Sequence, residues 1–204
     1  MSQISVETAL QPVTGPNVWY GPEMARRTDW IRALTSDEIT ELEKAVRQLD
    51  ATGIDIAAIG PKDLKVPGLS SLIDQARRAV LHETGFILIR GVPVERWTTR
   101  QCAIAYFGLG AHIGEPVSQN AKGHILGHVK DIGMDYSRPT HRGYQTAARL
   151  PYHTDSSDIV GLQCLNGAKA GGLSSIASSP AIYNEMLRRR PDLVAELLKP
   201  AYRD

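Results

Sequence analysis

A change of texture at Gly114 limits what this chain can become more than any other feature. Before it, apolar residues recur at the three- and four-residue spacing of amphipathic helices; after it, short apolar runs are cut by glycine and proline. Thr35-Ser36-Asp37-Glu38 has the form of a capping box, in which a threonine hydroxyl and a glutamate each satisfy a free backbone N–H. Leu34 and Ile39 flank it at the spacing of a hydrophobic staple, and Ile39, Leu42, Val46 and Leu49 continue as one apolar stripe that stops before Gly53. A second helix is expected over about residues 69–84, with Leu72, Ile73, Ala76, Val80 and Leu81 inward and Gly85 as its stop. Residues 86–89 read as a short buried strand, and Thr98-x-x-Gln101 opens a third helix carrying Ile104, Tyr106, Phe107 and Leu109. Past Gly114, the runs at 124–129, 159–164 and 173–177 read as short strands. Ser179-Pro180 then supplies a serine cap and a proline in the first helical position, and Pro191 opens a further helix. Helices first and strands afterwards point to an α+β fold, or to a β-barrel or sandwich dressed with helices.

Residues 1–29 hold Pro12, Gly15, Pro16, Gly21 and Pro22 among aromatics such as Trp19 and Tyr20. That is the composition of an extended N-terminal arm lying on a domain that occupies 30–204. The whole length of 204 residues suits a single domain. Its 23 basic and 22 acidic residues leave a net charge of +1, which is no electrostatic footprint for nucleic acid or an anionic membrane. No apolar run approaches the roughly 18 residues of a membrane span, and the first basic residue, Arg26, comes too late for a secretion signal. Cys102 and Cys164 are the only cysteines, with no CxxC pair, so a disulfide scaffold and a zinc ribbon are both excluded. A globular cytoplasmic protein is expected, with its oligomeric state open.

Tyr152-His153-Thr154-Asp155 carries the chemistry. In an extended strand successive side chains alternate faces, so His153 and Asp155 would project from the same side. An imidazole and a carboxylate so placed can bind one metal ion. With a second histidine from elsewhere they make the two-histidine, one-carboxylate triad of non-haem iron(II) oxygenases. In this composition His-x-Asp/Glu should arise about 0.65 times by chance, and it occurs once, so the surroundings of the pair decide its meaning.

Those surroundings are Gly85-Phe86-Ile87-Leu88-Ile89-Arg90-Gly91 and Gly114-Glu115-Pro116-Val117-Ser118-Gln119-Asn120 upstream, with Leu162-Gln163-Cys164-Leu165 and the stretch from Gly171-Gly172-Leu173-Ser174 to Tyr183 downstream. In this order they resemble the taurine dioxygenase and clavaminate-synthase-like (TauD/TfdA) family of Fe(II)/2-oxoglutarate-dependent oxygenases. The resemblance runs from about Gly85 to the C-terminus. It implies a double-stranded β-helix, or jelly roll, with flanking helices. The implied reaction couples oxidative decarboxylation of 2-oxoglutarate to oxidation of a small-molecule substrate by O2. His153 and Asp155 match the family's first two iron ligands. Ser174 stands where the family usually has a threonine whose hydroxyl contacts 2-oxoglutarate, with Ser175 as the fallback. Gln119 and Asn120 could face the substrate pocket.

The family's second histidine and its 2-oxoglutarate-binding arginine come far downstream of the pair. Here the sequence ends at Asp204, 49 residues after Asp155, with no histidine following His153. The chain therefore reads as the N-terminal part of a family member, an incomplete jelly roll; the alternative is a catalytically inactive relic acting as a binding or structural protein. His124, His128 and His141 could approach the site, whereas His82 and His112 belong to helices. Arg188, Arg189 and Arg190 read as a solvated face near a helix C-terminus. Gly108-x-Gly110-x-x-x-Gly114 has the wrong spacing and setting for a dinucleotide-binding turn and is better explained by packing. No GxSxG elbow supports a nucleophilic hydrolase, and Cys164, inside an apolar run, is expected to be buried and inert.

Overall fold

The capping threonines do what their spacing demands. A computed structural model of the chain describes residues 10–118, 123–134 and 146–200. In order these form α1 (Gly21–Met24), β1 (Ile31–Ala33), α2 (Ser36–Ala51), α3 (Ser70–His82), β2 (Leu88–Arg90), α4 (Thr99–Ile113), α5 (Ser179–Arg189) and α6 (Pro191–Leu197), with 3-10 turns at Ile56–Ala58, Pro67–Leu69 and Val94–Arg96. At α2, Thr35 Oγ1 accepts from the Glu38 N–H at 3.2 Å and Glu38 Oε2 accepts from the Thr35 N–H at 2.7 Å. Thr98 and Gln101 repeat the exchange at α4, at 3.2 and 3.1 Å. Each box satisfies two backbone donors that a helix start otherwise leaves bare.

The described residues fall into two compact units, one drawn from 1–34, 74–91 and 176–204, the other from 35–73 and 92–175. In the first, β1 and β2 pair in parallel, with Ile31 opposite Leu88, Arg32 opposite Ile89 and Ala33 opposite Arg90. The strand expected at 86–89 thus starts two residues later. Gly85 takes a left-handed φ of +84°, and the Phe86 ring is engaged by Trp19 and Trp30, each with ring centroids 5.4 Å away. Trp19 is buried and donates its indole N–H to the Thr84 carbonyl at 2.9 Å. β1 carries no sequence signal, since three residues are too few to show a period. The cap of α5 is Ser178 rather than Ser179: its hydroxyl accepts from the Ala181 N–H at 3.0 Å and donates to the Asn17 carbonyl at 2.5 Å. Asn184, six residues along, holds both backbone groups of Val13 at 2.7 Å.

On α3, Leu72, Ile73, Ala76 and Ala79 are buried, but Leu81 is 47% exposed instead of inward. At 100° per residue position 81 lies about 180° around the helix from Leu72, whereas Ala76 and Ala79 return to its side. In the second unit α2 packs on α4. Leu42, Val46, Ile104 and Ala105 are fully buried there, and each of the larger three contributes roughly 1.5–3 kcal/mol through the water it sheds. Asp50, near the end of α2, accepts from Arg100 Nε at 2.9 Å and Gln101 Nε2 at 3.0 Å, and Arg100 also donates to the Ile54 carbonyl at 2.6 Å.

Beyond α4 the expectation and the structure part company. Among the described residues from 114 to 178 there is no helix and no strand. The runs at 124–129, 159–164 and 173–177 take no strand conformation, and Val129, Leu162 and Leu173 are 70%, 74% and 95% exposed. A strand exists only through the ladder of a neighbour, and these segments have none among the described residues. Helices with a small sheet give the mixed composition expected, but the described residues past Gly114 do not form the jelly roll expected there. Cys164, placed by its apolar run among buried thiols, is exposed for the same reason, while Cys102 is buried.

Candidate metal-binding pair

The segment bearing His153 and Asp155 is irregular, so strand alternation is not what aligns them. They nevertheless face each other: His153 Nε2 lies 3.9 Å from Asp155 Oδ1, and both side chains are about half exposed, at 53% and 55%. A local hydrogen bond sets the imidazole, whose Nδ1–H donates to the Pro151 carbonyl at 2.8 Å. That bond makes Nε2 the nitrogen with the lone pair in the neutral ring, the state a metal ligand needs, and a backbone carbonyl on the other nitrogen is a usual way of orienting such a ligand. Metal–ligand bonds of about 2.1 Å at right angles put neighbouring donors about 3 Å apart. The pair would have to close by about 1 Å to share one ion, which side-chain rotation supplies at so exposed a place. The donor set therefore fits two positions of a divalent metal.

A third ligand does not join them: among the described residues no cluster of three His, Cys, Asp or Glu side chains is present. His124 and His128 are exposed. His141, Gln119 and Asn120 lie outside the described residues. His112 is structural, donating from Nε2 to the Leu64 carbonyl at 2.9 Å, and His82 is exposed at the end of α3. Ser174 and Ser175 are exposed after Gly171 and Gly172, whose φ angles are +73° and +71°. Arg188 and Arg189 are exposed and both bind Glu185, whose carboxylate their hydrogen bonds hold down to a pKa of about 2. Arg190 pairs with Asp192 at 2.7 Å. The Pro151 carbonyl is a part sequence reasoning missed, because a main-chain acceptor leaves no trace in residue identity.

The glycines of the 108–114 stretch are accounted for by packing at one position. A Cβ on Gly108 would stand 2.6 Å from Leu64 Cδ2, so the helix approaches Leu64 closely only because that side chain is absent; at Gly110 nothing lies within 4 Å. No helix among the described residues is long and apolar enough to cross a membrane.

Comparison with known proteins supplies the lineage. The chain is 32% identical over 190 residues to FR-33289 synthase of Streptomyces rubellomurinus, a match spanning 93% of this chain and 56% of that protein. It is 29% identical over 186 residues to the Taurine hydroxylase-like protein SAT17 of Stachybotrys chartarum, spanning 88% of this chain and 48% of that one. The chain thus spans about half the length of the curated relatives it matches. The model of the "Taurine catabolism dioxygenase TauD, TfdA family" matches residues 45–203, including the His153–Asp155 pair, and the chain belongs to that family.

Proposed function

We propose that this chain is the N-terminal portion of an Fe(II)/2-oxoglutarate-dependent dioxygenase that oxidises a small molecule, with His153 and Asp155 as two of its iron ligands and Ser174 as a hydroxyl contact to 2-oxoglutarate. The observation that supports it best is the Nδ1–H bond from His153 to Pro151, which turns the Nε2 lone pair to within 3.9 Å of Asp155 Oδ1. Iron and 2-oxoglutarate, when bound, would supply the activation of O2. A neutral imidazole and one carboxylate leave the site a net positive charge that suits a chelating 2-oxoacid. The Ser174 hydroxyl, following two glycines, can donate to a carboxylate of that co-substrate. The second reading, a binding or structural protein without turnover, draws on the fact that the described residues bring together two donors, not three.

Anaerobic titration with Fe(II) and 2-oxoglutarate separates them. An active site, complete or completed by residues outside those described, gives the visible charge-transfer band of the chelate, and His153→Ala abolishes it. A band that survives His153→Ala places the metal elsewhere. No band, together with no succinate formed in air, favours the non-catalytic reading.

A further inference from the structure

Tyr106 connects the helical layer of the second unit to the segment that carries the pair. It stands on α4, which is held by the Thr98–Gln101 capping box and by the bonds from Arg100 and Gln101 to Asp50, so its backbone is well supported. Its hydroxyl donates to the Gly161 carbonyl at 2.5 Å across 55 residues of sequence. Burial pushes the phenol pKa up, so the hydroxyl keeps the proton it donates. Gly161 is fitted to this contact, because a Cβ there would stand 2.9 Å from the Tyr106 oxygen. The contact lies six residues beyond Asp155, in a stretch with no helix or strand to stiffen it.

From this geometry we infer that Tyr106 is a positioning residue: its bond to Gly161 tethers the His153–Asp155 segment to α4 and preorganises the pair for a divalent metal. The inference rests on the metal-binding reading above. A loop fixed at one more point loses less conformational freedom when its side chains close on an ion, so the tether tightens metal binding without touching the metal.

The test titrates Fe(II) alone, anaerobically, into the wild type, Tyr106→Phe, Gly161→Ala, the double variant and His153→Ala, with hydrogen exchange followed in the metal-free proteins. Tyr106→Phe should weaken Fe(II) binding about 3- to 10-fold, the worth of one neutral hydrogen bond. It should also speed exchange across residues 156–165 while leaving α2 and α4 protected. Gly161→Ala should act alike, and the double variant should bind no more weakly than either single one, because both remove the same contact. If Tyr106→Phe proves unfolded, Gly161→Ala carries the test, since Gly161 is exposed and outside any helix. Binding that is lost in His153→Ala but equal to wild type in Tyr106→Phe and Gly161→Ala overturns the tether alone. No Fe(II) binding by the wild type, or binding indifferent to His153→Ala, overturns the metal-binding reading and the tether with it.

Discussion

Two glycines only two residues apart on α4, and so on nearly opposite faces of the helix, should respond to alanine in opposite directions. In a helix interior, glycine to alanine ordinarily gains about 0.5–1 kcal/mol, because alanine has less backbone freedom to lose. Gly110 has open space within 4 Å of an added Cβ, so Gly110→Ala should show that full gain. At Gly108 the added Cβ would stand 2.6, 3.0 and 3.2 Å from Cδ2, Cβ and Cγ of Leu64. Leu64 is fully buried, so its end cannot swing aside into solvent. Forcing a methyl into a packed core costs about 1–3 kcal/mol, so against the helix gain Gly108→Ala should lose a net of up to about 2.5 kcal/mol. Urea unfolding followed by far-UV circular dichroism reads the difference: with m of about 2–3 kcal/mol/M, each kcal/mol moves the midpoint by about 0.3–0.5 M. Gly108→Ala combined with Leu64→Ala should cost less than the sum of the two, because removing the leucine end removes the clash. If both glycine variants raise stability alike, the close approach of α4 to Leu64 is not what requires glycine, and the packing account of this stretch fails.

Ser178→Ala should cost about 1–2 kcal/mol by thermal or urea unfolding, the loss of a cap, because its buried hydroxyl serves both Ala181 and Asn17; Ser179→Ala, at an exposed neighbour, should be nearly silent. Glu185 should titrate near 2 in a carbon-detected NMR titration, not in the ordinary glutamate range, because of its hydrogen bonds to Arg188 and Arg189. Its folded-state pKa is depressed, so whatever stability the cluster adds is present above the unfolded glutamate pKa and lost as pH falls through about 2. Arg188→Gln and Arg189→Gln together should return the titration towards the ordinary value.

Local chemistry made much of the helical part legible in the sequence. Both capping boxes, the stripe of Leu42, Val46 and Leu49, the stops at Gly53 and Gly85 and the start at Pro191 depend on residues within one or two turns of each other, so residue identity specifies them. The nearness of His153 to Asp155 was legible too, although a carbonyl from Pro151 and not a β-strand turns the imidazole towards the carboxylate. Family membership was visible in the order of short motifs around it. What tertiary structure decided depends on partners far away in sequence: the parallel pairing of Ile31–Ala33 with Leu88–Arg90, the engagement of Phe86 by Trp19 and Trp30, and the Tyr106–Gly161 bond. The runs past Gly114 show the same division. A short apolar run between glycines and prolines records a preference for a strand, but a strand forms only when another segment offers its N–H and C=O groups, and that offer is a property of the fold, not of the run itself.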